Sequence, residues 1–498
     1  MADKVSEGKR YTAKPLSEPE LEAVVLNRSV VRKDVKDDDP VSIKKTCAKK
    51  HRIHAADRKT VHGCAFAGAL FVTLSVEGLA TVLHAPRDCA HYAVQMVTNA
   101  MRRSFTSGGM PISPFARPNV KCSDMDDPDM IFGSVGSLES SVKEMISRGN
   151  STVAIVTSCP SGIIGEDIEG MIFRIRSEYP DVTIVPIIED GNIKGDYMQG
   201  ATDACIEIIR ALAVKGKKER AVNLVGVKTF GINTKDNISF VSEILGKMGI
   251  KVNCTCVGDT DIESIRNIPN AELCMLMTPD TFAVETMNFM KDNYGLRSTE
   301  NIARPGMKET ELWIREVGEH FGESEKAEQI IKDLRKEFSE RLEALRKYME
   351  GRKVYVVGMK RDIGWITEAA AGCGADIVRC VVMDAVGKNE LKELEPEYST
   401  DMIPGGMPDL LKEMKDRTER ILDPYIRTDT EKEAWIRKDI KETKPDILLS
   451  MYPADPDVRT YSLPVNPDVT PFAGPDMAEE LMRVLKAPKE EGWRKDVV

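Results

Sequence analysis

The stretch VAIVTSCPSGIIGEDIEG (153–170) decides how the rest of the chain is read. It opens with four apolar residues, three of them β-branched, as a strand buried on both faces does. Cys159 ends the run, Pro160 and Gly162 make a turn, and the segment from Asp167 to Ser177 has helical spacing. A strand passing through a short turn into a helix is the unit of a parallel sheet, and ligands of such sheets bind outside the carboxyl ends of the strands. Cys159 stands at such an end.

Outward from this stretch the alternation continues. VTIVPII (182–188) reads as the next strand and DYMQGATDACIEIIRALAV (196–214) as the next helix. A second block opens with the strand AVNLVGV (221–227), a helix around FVSEILGKMG (240–249) and the strands KVNCTCV (251–257) and AELCMLM (271–277). Residues 323–350 combine apolar spacing with many charges, the pattern of a long helix with one buried stripe. A third block holds KVYVVGM (353–359), a helix near Trp365 to Ala371, ADIVRCVVM (375–383), KPDILLSMYP (444–453) and the helix MAEELMRVL (477–485). The expected fold is therefore α/β: three Rossmann-like domains whose parallel sheets are covered by helices. Their expected bounds are 61–215, 216–350 and 351–498, behind a charge-dense segment 1–60 that is either an arm over another surface or a partly disordered leader. No short-period repeat occurs.

Composition narrows the function classes. The 498 residues include 70 basic and 80 acidic side chains, a net charge of −10, with 42% hydrophobic and 30% charged residues. That acidity argues against a nucleic-acid binder, which needs a clustered basic surface. No apolar run reaches the roughly 18–20 residues that cross a bilayer, and the first residues lack the apolar core of a secretory signal. The expectation is a cytoplasmic protein whose 11 cysteines stay reduced. Its 24 methionines are core filling. No GxxxxGK(S/T) phosphate cradle is present, and GSVGS (133–137) is too weak to mark a nucleotide site.

Three cysteines share one setting. Cys64 lies among Gly63, Ala65, Ala67 and Gly68, small neighbours that let the backbone approach a bulky object. Cys89 follows HAPRDC, a proline turn into a helix, and Cys159 opens the turn already described. A helix start lowers a thiol's pKa and favours anionic sulfur. The separations of 25 and 70 residues exclude a local CxxC metal loop. Three such thiolates hold one iron–sulfur cluster only if the fold or a second subunit gathers the ligands, and a shortfall from four suggests a cluster shared across an interface.

Other candidates have plainer explanations. Cys205, Cys373 and Cys380 lie in apolar or amphipathic runs, Cys254 and Cys256 share one face of a strand, and Cys47 sits among lysines on the charged segment. Cys122 and Ser158 are candidates for the surroundings of a cluster. His62, His84 and His91 bracket the first two cysteines, where they would either tune sulfur or serve as structural histidines. Arg87 and Asp88 either orient the Cys89 loop or form a surface pair. Glu166 and Asp167 suit the positive end of the helix that follows.

HGCAFAGA (62–69), HAPRDCAHY (84–92), KCSDMDDPDMIFGS (121–134), TSCPSGIIGEDIEG (157–170) and KPDILLS (444–450), in this order, resemble the component 1 family of nitrogenase and its nitrogenase-like reductases and cofactor-assembly scaffolds. The resemblance runs from about residue 60 to 485. It implies that Cys64, Cys89 and Cys159 ligate a cluster between two related subunits, an 8Fe–7S P-cluster or a 4Fe–4S cluster. It also implies a paralogous α-type partner in an α2β2 heterotetramer and a homodimeric ATP-dependent iron protein as electron donor. The family's catalytic subunit holds its cofactor through a cysteine and a late histidine. Here the six histidines end at His320, and Thr278 or Pro279 stands where the cysteine belongs, with Cys274 several residues early. Those departures resemble the β-type subunit, which would relay electrons to an active-site cofactor in its partner. The alternative that the resemblance leaves is a scaffold on which such a cofactor is assembled.

Overall fold

The computed structural model describes residues 63–107, 118–382 and 429–486, apart from positions 192, 228–230, 232, 257, 279, 359, 451–457 and 465–466. The charged segment 1–60, Cys47 and His62 lie outside the described residues.

The first sheet is built from β2 (Ala80–His84), β3 (Val120–Cys122), β4 (Thr152–Thr157) and β5 (Thr183–Ile187), in the order β3-β2-β4-β5. Every neighbour is parallel, with Ala80 opposite Val153 and His84 opposite Thr157. Its helices are α1 (Ala65–Thr73), α2 (Arg87–Ser107), the short α3 (Asp129–Phe132), α4 (Val135–Ser147), the short α5 (Cys159–Ile164), α6 (Ile168–Glu178) and α7 (Tyr197–Leu212). Alternating strand residues face opposite sides. Val82, Val153 and Ile155 pack with Leu138, Met145 and Met171 of α4 and α6. Leu83, Ala154 and Val156 instead meet Leu70 of α1 and Ile208 of α7.

The second sheet holds β6 (Glu219–Val225), β7 (Lys251–Cys256), β9 (Ala271–Leu276) and β10 (Arg297–Ser298), ordered β10-β9-β6-β7 and again parallel. Around it lie α8 (Thr234–Lys247), α9 (Ile262–Arg266), α10 (Thr281–Tyr294), α11 (Met307–His320) and the long α12 (Ser324–Met349). A two-residue pairing ties β1 (Val76–Glu77), from the first block, to β8 (Thr260–Asp261) from the second. The third sheet, ordered β12-β11-β13-β14, comprises β11 (Lys353–Gly358), β12 (Asp376–Val382), β13 (Ile447–Ser450) and β14 (Arg459–Ser462). It too is parallel, with α13 (Lys360–Gly372), α14 (Asp429–Thr443) and α15 (Ala473–Lys486).

The expected α/β architecture of parallel sheets under helices is what the chain adopts. The cores do not stop at each sheet. One continuous apolar cluster joins Leu83 and Ile208 to Val225, Cys254 and Cys274 of the second sheet. Another runs from Leu224 and Trp313 through Phe338 of α12 to Val356 and Leu449 of the third. On the far face of the third sheet Tyr355 donates to Asp439 of α14, which also pairs with Arg379 at 2.8 Å. Among the described residues no helix is long and apolar enough to cross a membrane.

Candidate functional site

The carboxyl edge of the first sheet collects the predicted cysteines. Cys64 is the N-cap of α1, Cys89 lies in the first turn of α2 just past β2, and Cys159 is the first residue of α5 just past β4. Cys64 is brought to this edge by pairing with Asp196, the N-cap of α7 that follows β5, while Ala65 N–H donates to the Gly195 carbonyl at 3.2 Å. None of the described cysteines is disulfide-bonded.

The small residues around Cys64 serve first to bring two helices together. A Cβ on Gly68 would come within 1.9 Å of the Tyr197 carbonyl oxygen, and one on Gly200 within 1.9 Å of the Ala65 carbonyl oxygen. At Gly68 the space is filled by α7, because backbone contact between helices needs residues without side chains. A glycine also lets backbone close directly on one of the sulfurs. Gly191, with φ +55°, lies where any Cβ would sit 2.2 Å from Cys159 Sγ.

Cys89 is exposed, yet its sulfur is partly enclosed. Burial, then negative charge on Cys159 and on Cys64, push its thiol pKa above the ordinary value. Cys89 is therefore near enough to both other sulfurs to feel their charge, and as thiolates they repel it unless positive charge is placed among them. Among the described residues no three His, Cys, Asp or Glu side chains gather tightly enough to hold one metal ion.

Cys122, at the end of β3, is also within electrostatic reach of Cys89. Its sulfur donates to the Ala85 carbonyl and accepts from Asp124 N–H, both at 3.3 Å. Ser158 is buried and donates its hydroxyl to the His84 carbonyl at 2.8 Å. Arg87 pairs with Asp124 at the surface. His91 is exposed, edge-on to Tyr92.

His84 is wholly buried, with Nδ1 2.8 Å from Ser123 Oγ and Nε2 2.6 Å from Glu166 Oε2. Glu166 also accepts from Ser134 N–H at 2.5 Å. Burial opposes its charge, but Ser134 N–H and His84 outweigh it and hold the carboxyl below the usual carboxylate range. The helix-start role expected of both acids belongs to Asp167 alone, which accepts from Gly170 N–H at 2.9 Å as the N-cap of α6. Glu166 turns inward because a buried imidazole needs a partner. The pairing spans 82 residues, so no local pattern announces it.

Cys274 is a buried strand residue whose thiol burial pushes up to about 12, with Asn223 Nδ2 3.7 Å from its sulfur. Thr278 donates to the Gly226 carbonyl at 3.1 Å. Cys205, Cys254, Cys256, Cys373 and Cys380 are all buried.

The family model described as nitrogenase component 1 type oxidoreductase matches residues 64–476. The chain is 25% identical over 326 residues to the nitrogenase molybdenum-iron protein alpha chain of Methanosarcina barkeri, covering 63% of this chain and 59% of that one. Over 372 residues it is 23% identical to the nitrogenase iron-molybdenum cofactor biosynthesis protein NifE of Clostridium pasteurianum, covering 69% and 78%. It is 22% identical over 283 residues to the nitrogenase vanadium-iron protein beta chain of Trichormus variabilis, covering 51% and 56%. The match thus spans about six-tenths of the length of the alpha chain. In fold it is similar to the solved structure of nitrogenase Cp1 at pH 5, with a TM-score of 0.57 and 16% identity, over 93% of this chain and 98% of that chain. With one family model accounting for residues 64–476, the chain belongs to the nitrogenase component 1 type oxidoreductases.

Proposed function

We propose that this chain is a β-type subunit of a nitrogenase-like reductase. In this reading Cys64, Cys89 and Cys159 hold an iron–sulfur cluster at the contact with a paralogous α-type subunit. A homodimeric ATP-dependent iron protein supplies the electrons. The observation that carries the reading is the meeting of three helix-start thiols, distant in sequence, at one sheet edge.

The residues present fit such a cluster. None of the three thiols is fully buried, and Cys89 feels negative charge on both Cys159 and Cys64, a repulsion that a cationic body among them would relieve. When bound, a cluster of this kind supplies electron storage at a potential set by its charge, hydrogen bonds and exposure. The protein's part is to hold and shelter it. The Ser123–His84–Glu166 chain of hydrogen bonds fixes the ends of β2 and β3 against the loop after α5. Around the cysteines the surface is unusually apolar: Tyr92 on α2, Phe132 on α3 and Ile163 on α5 are 73%, 84% and 75% exposed. A partner covering that face would bury these side chains and exclude water from the thiols.

The test is anaerobic purification of the chain with and without its paralogue. The expected product is a brown hetero-oligomer whose visible absorption bleaches on reduction. A colourless hetero-oligomer contradicts the cluster, and a fully iron-loaded homodimer contradicts the β-type assignment. The scaffold reading is favoured by the likeness to NifE over 69% of this chain. It expects a cofactor that leaves on incubation with an apo-enzyme, and no turnover with reductant and ATP.

A further inference from the structure

Sorted by burial alone, the ten described cysteines fall into two sets: six are buried, and Cys64, Cys89, Cys122 and Cys159 are not. Cys122, the remaining member of the open set, takes no part in the function proposed above. It is the last residue of β3, and the neighbouring β2 leads through Pro86 into the first turn of α2 and Cys89. All four open cysteines therefore stand at the carboxyl edge of the first sheet, three at helix starts and one at a strand end. Cys64 and Cys122 also pack, half-buried, against the same apolar cluster.

The turn that carries Cys122 is fastened to the end of β2. Ser123 N–H donates to the Leu83 carbonyl at 2.9 Å, and Met125 N–H to the Ala85 carbonyl at 3.1 Å. Ser123 Oγ lies 2.8 Å from His84 Nδ1, and Cys122 Sγ itself donates to the Ala85 carbonyl at 3.3 Å. Ala85 is four residues before Cys89, so the Cys122 sulfur sits beside the turn that delivers Cys89. Its surroundings also offer support to an anionic sulfur. Asp124, at φ +61°, donates its N–H to Cys122 Sγ at 3.3 Å, and the Arg87 guanidinium is within electrostatic reach. Burial pushes the metal-free thiol up, the Asp124 N–H and Arg87 oppose this, and negative charge on Asp124 and Cys89 adds to it. A cation delivered to the edge reverses that balance. A cluster of several irons takes its thiolates at wider separations than a single ion does. Four sulfurs along one edge therefore suit it, although no three of them close on one point.

We propose that Cys122 is a fourth ligand, supplied by this chain, to the group that Cys64, Cys89 and Cys159 hold. The inference rests on the cluster reading above and changes how many ligands the chain gives. On binding, the Cys122 S–H bond breaks and its proton passes to water. A sulfur–iron bond forms in place of the hydrogen bond to the Ala85 carbonyl, while the Asp124 N–H and Arg87 stay to support the negative sulfur. Four cysteine thiolates are the complement of a 4Fe–4S cluster, and the paralogue's part is then to cover it.

The experiment compares anaerobically purified complexes with the paralogue, carrying the wild-type chain, Cys122→Ala, Cys122→Ser or the control Cys373→Ala. Iron retention against a chelator and the electron paramagnetic resonance spectrum after reduction are measured on each. Cys122→Ala should weaken retention at least about tenfold, since a ligand is worth no less than a residue that only supports one. Cys122→Ser places a hydroxyl oxygen where the sulfur bound iron, so it should keep iron and shift the spectrum, which loss of a purely structural cysteine would not do. Cys373→Ala should match the wild type in both. Cys122→Ala with wild-type retention overturns this inference alone. Where the alanine variant does not assemble, the serine variant decides, and a spectrum identical to the wild type overturns the inference. A wild-type complex that takes up no iron overturns the cluster reading, and this inference with it.

Discussion

Two groups of cysteines in the same chain have opposite settings. Cys64, Cys89 and Cys159 stand at helix starts on the edge of the first sheet, none of them fully buried. Cys205, Cys254, Cys256 and Cys274 lie between the second sheet and α7, all buried. The second group is also mutually close: Cys256 is pushed up by its hydrogen bond with Cys254, then by burial, and feels Cys274 and Cys205. Closeness of sulfurs therefore does not distinguish a candidate ligand set from core filling. Position does. The thiols at helix starts can be approached from outside, whereas those of the second group are sealed in the core.

The comparison is open to attack on several scales. The largest effect expected is in thiol chemistry. Burial pushes Cys205 and Cys274 to about 12 from an ordinary 9. Each unit costs tenfold in thiolate, and Cys89, raised as well but exposed, should alkylate at least about tenfold faster than either in metal-free protein. Mass spectrometry of timed iodoacetamide quenches measures this, and equal rates would erase the distinction.

Next comes the frame that holds Cys64. Gly68→Ala forces a Cβ against the Tyr197 carbonyl and should cost about 3 kcal/mol. Cys64 should become more readily alkylated as α1 shifts from α7. Denaturant unfolding and the labelling assay together check both halves of that expectation.

A smaller effect is expected at Glu166. Glu166→Gln weakens a buried hydrogen-bond chain and should destabilise by about 1–3 kcal/mol at neutral pH. The folded carboxyl is held below its unfolded value of 4.5. Its contribution is therefore present above that value and lost as pH falls through the folded pKa. The gap between wild type and variant should close in acid, read from melting temperature against pH. Smallest is Cys274→Ala, a packing loss of about 1–2 kcal/mol that should leave iron content untouched.

The strands and helices of the sheets were legible where their signals are local. Thr152–Thr157 and Lys353–Gly358 are short apolar runs ended by turns, and Ser324–Met349 shows its buried stripe at Ile331, Leu334, Phe338 and Leu342. Helix α11 was not expected from the sequence although Met307, Trp313, Ile314 and Val317 carry helical spacing after Pro305 and Gly306. The two-residue pairing of Val76 with Thr260 has no local signal at all. The cysteine motifs were legible because glycine and proline mark the turns beside them. Glu166 was not, since what makes it distinctive is a partner supplied by the fold.

The most direct test of the account is iron per chain in anaerobically purified complexes of five variants. Cys64→Ala, Cys89→Ala and Cys159→Ala should each lose the iron, while Cys205→Ala and Cys373→Ala should keep the wild-type content. Equal iron in all five would contradict the assignment of the helix-start cysteines as ligands.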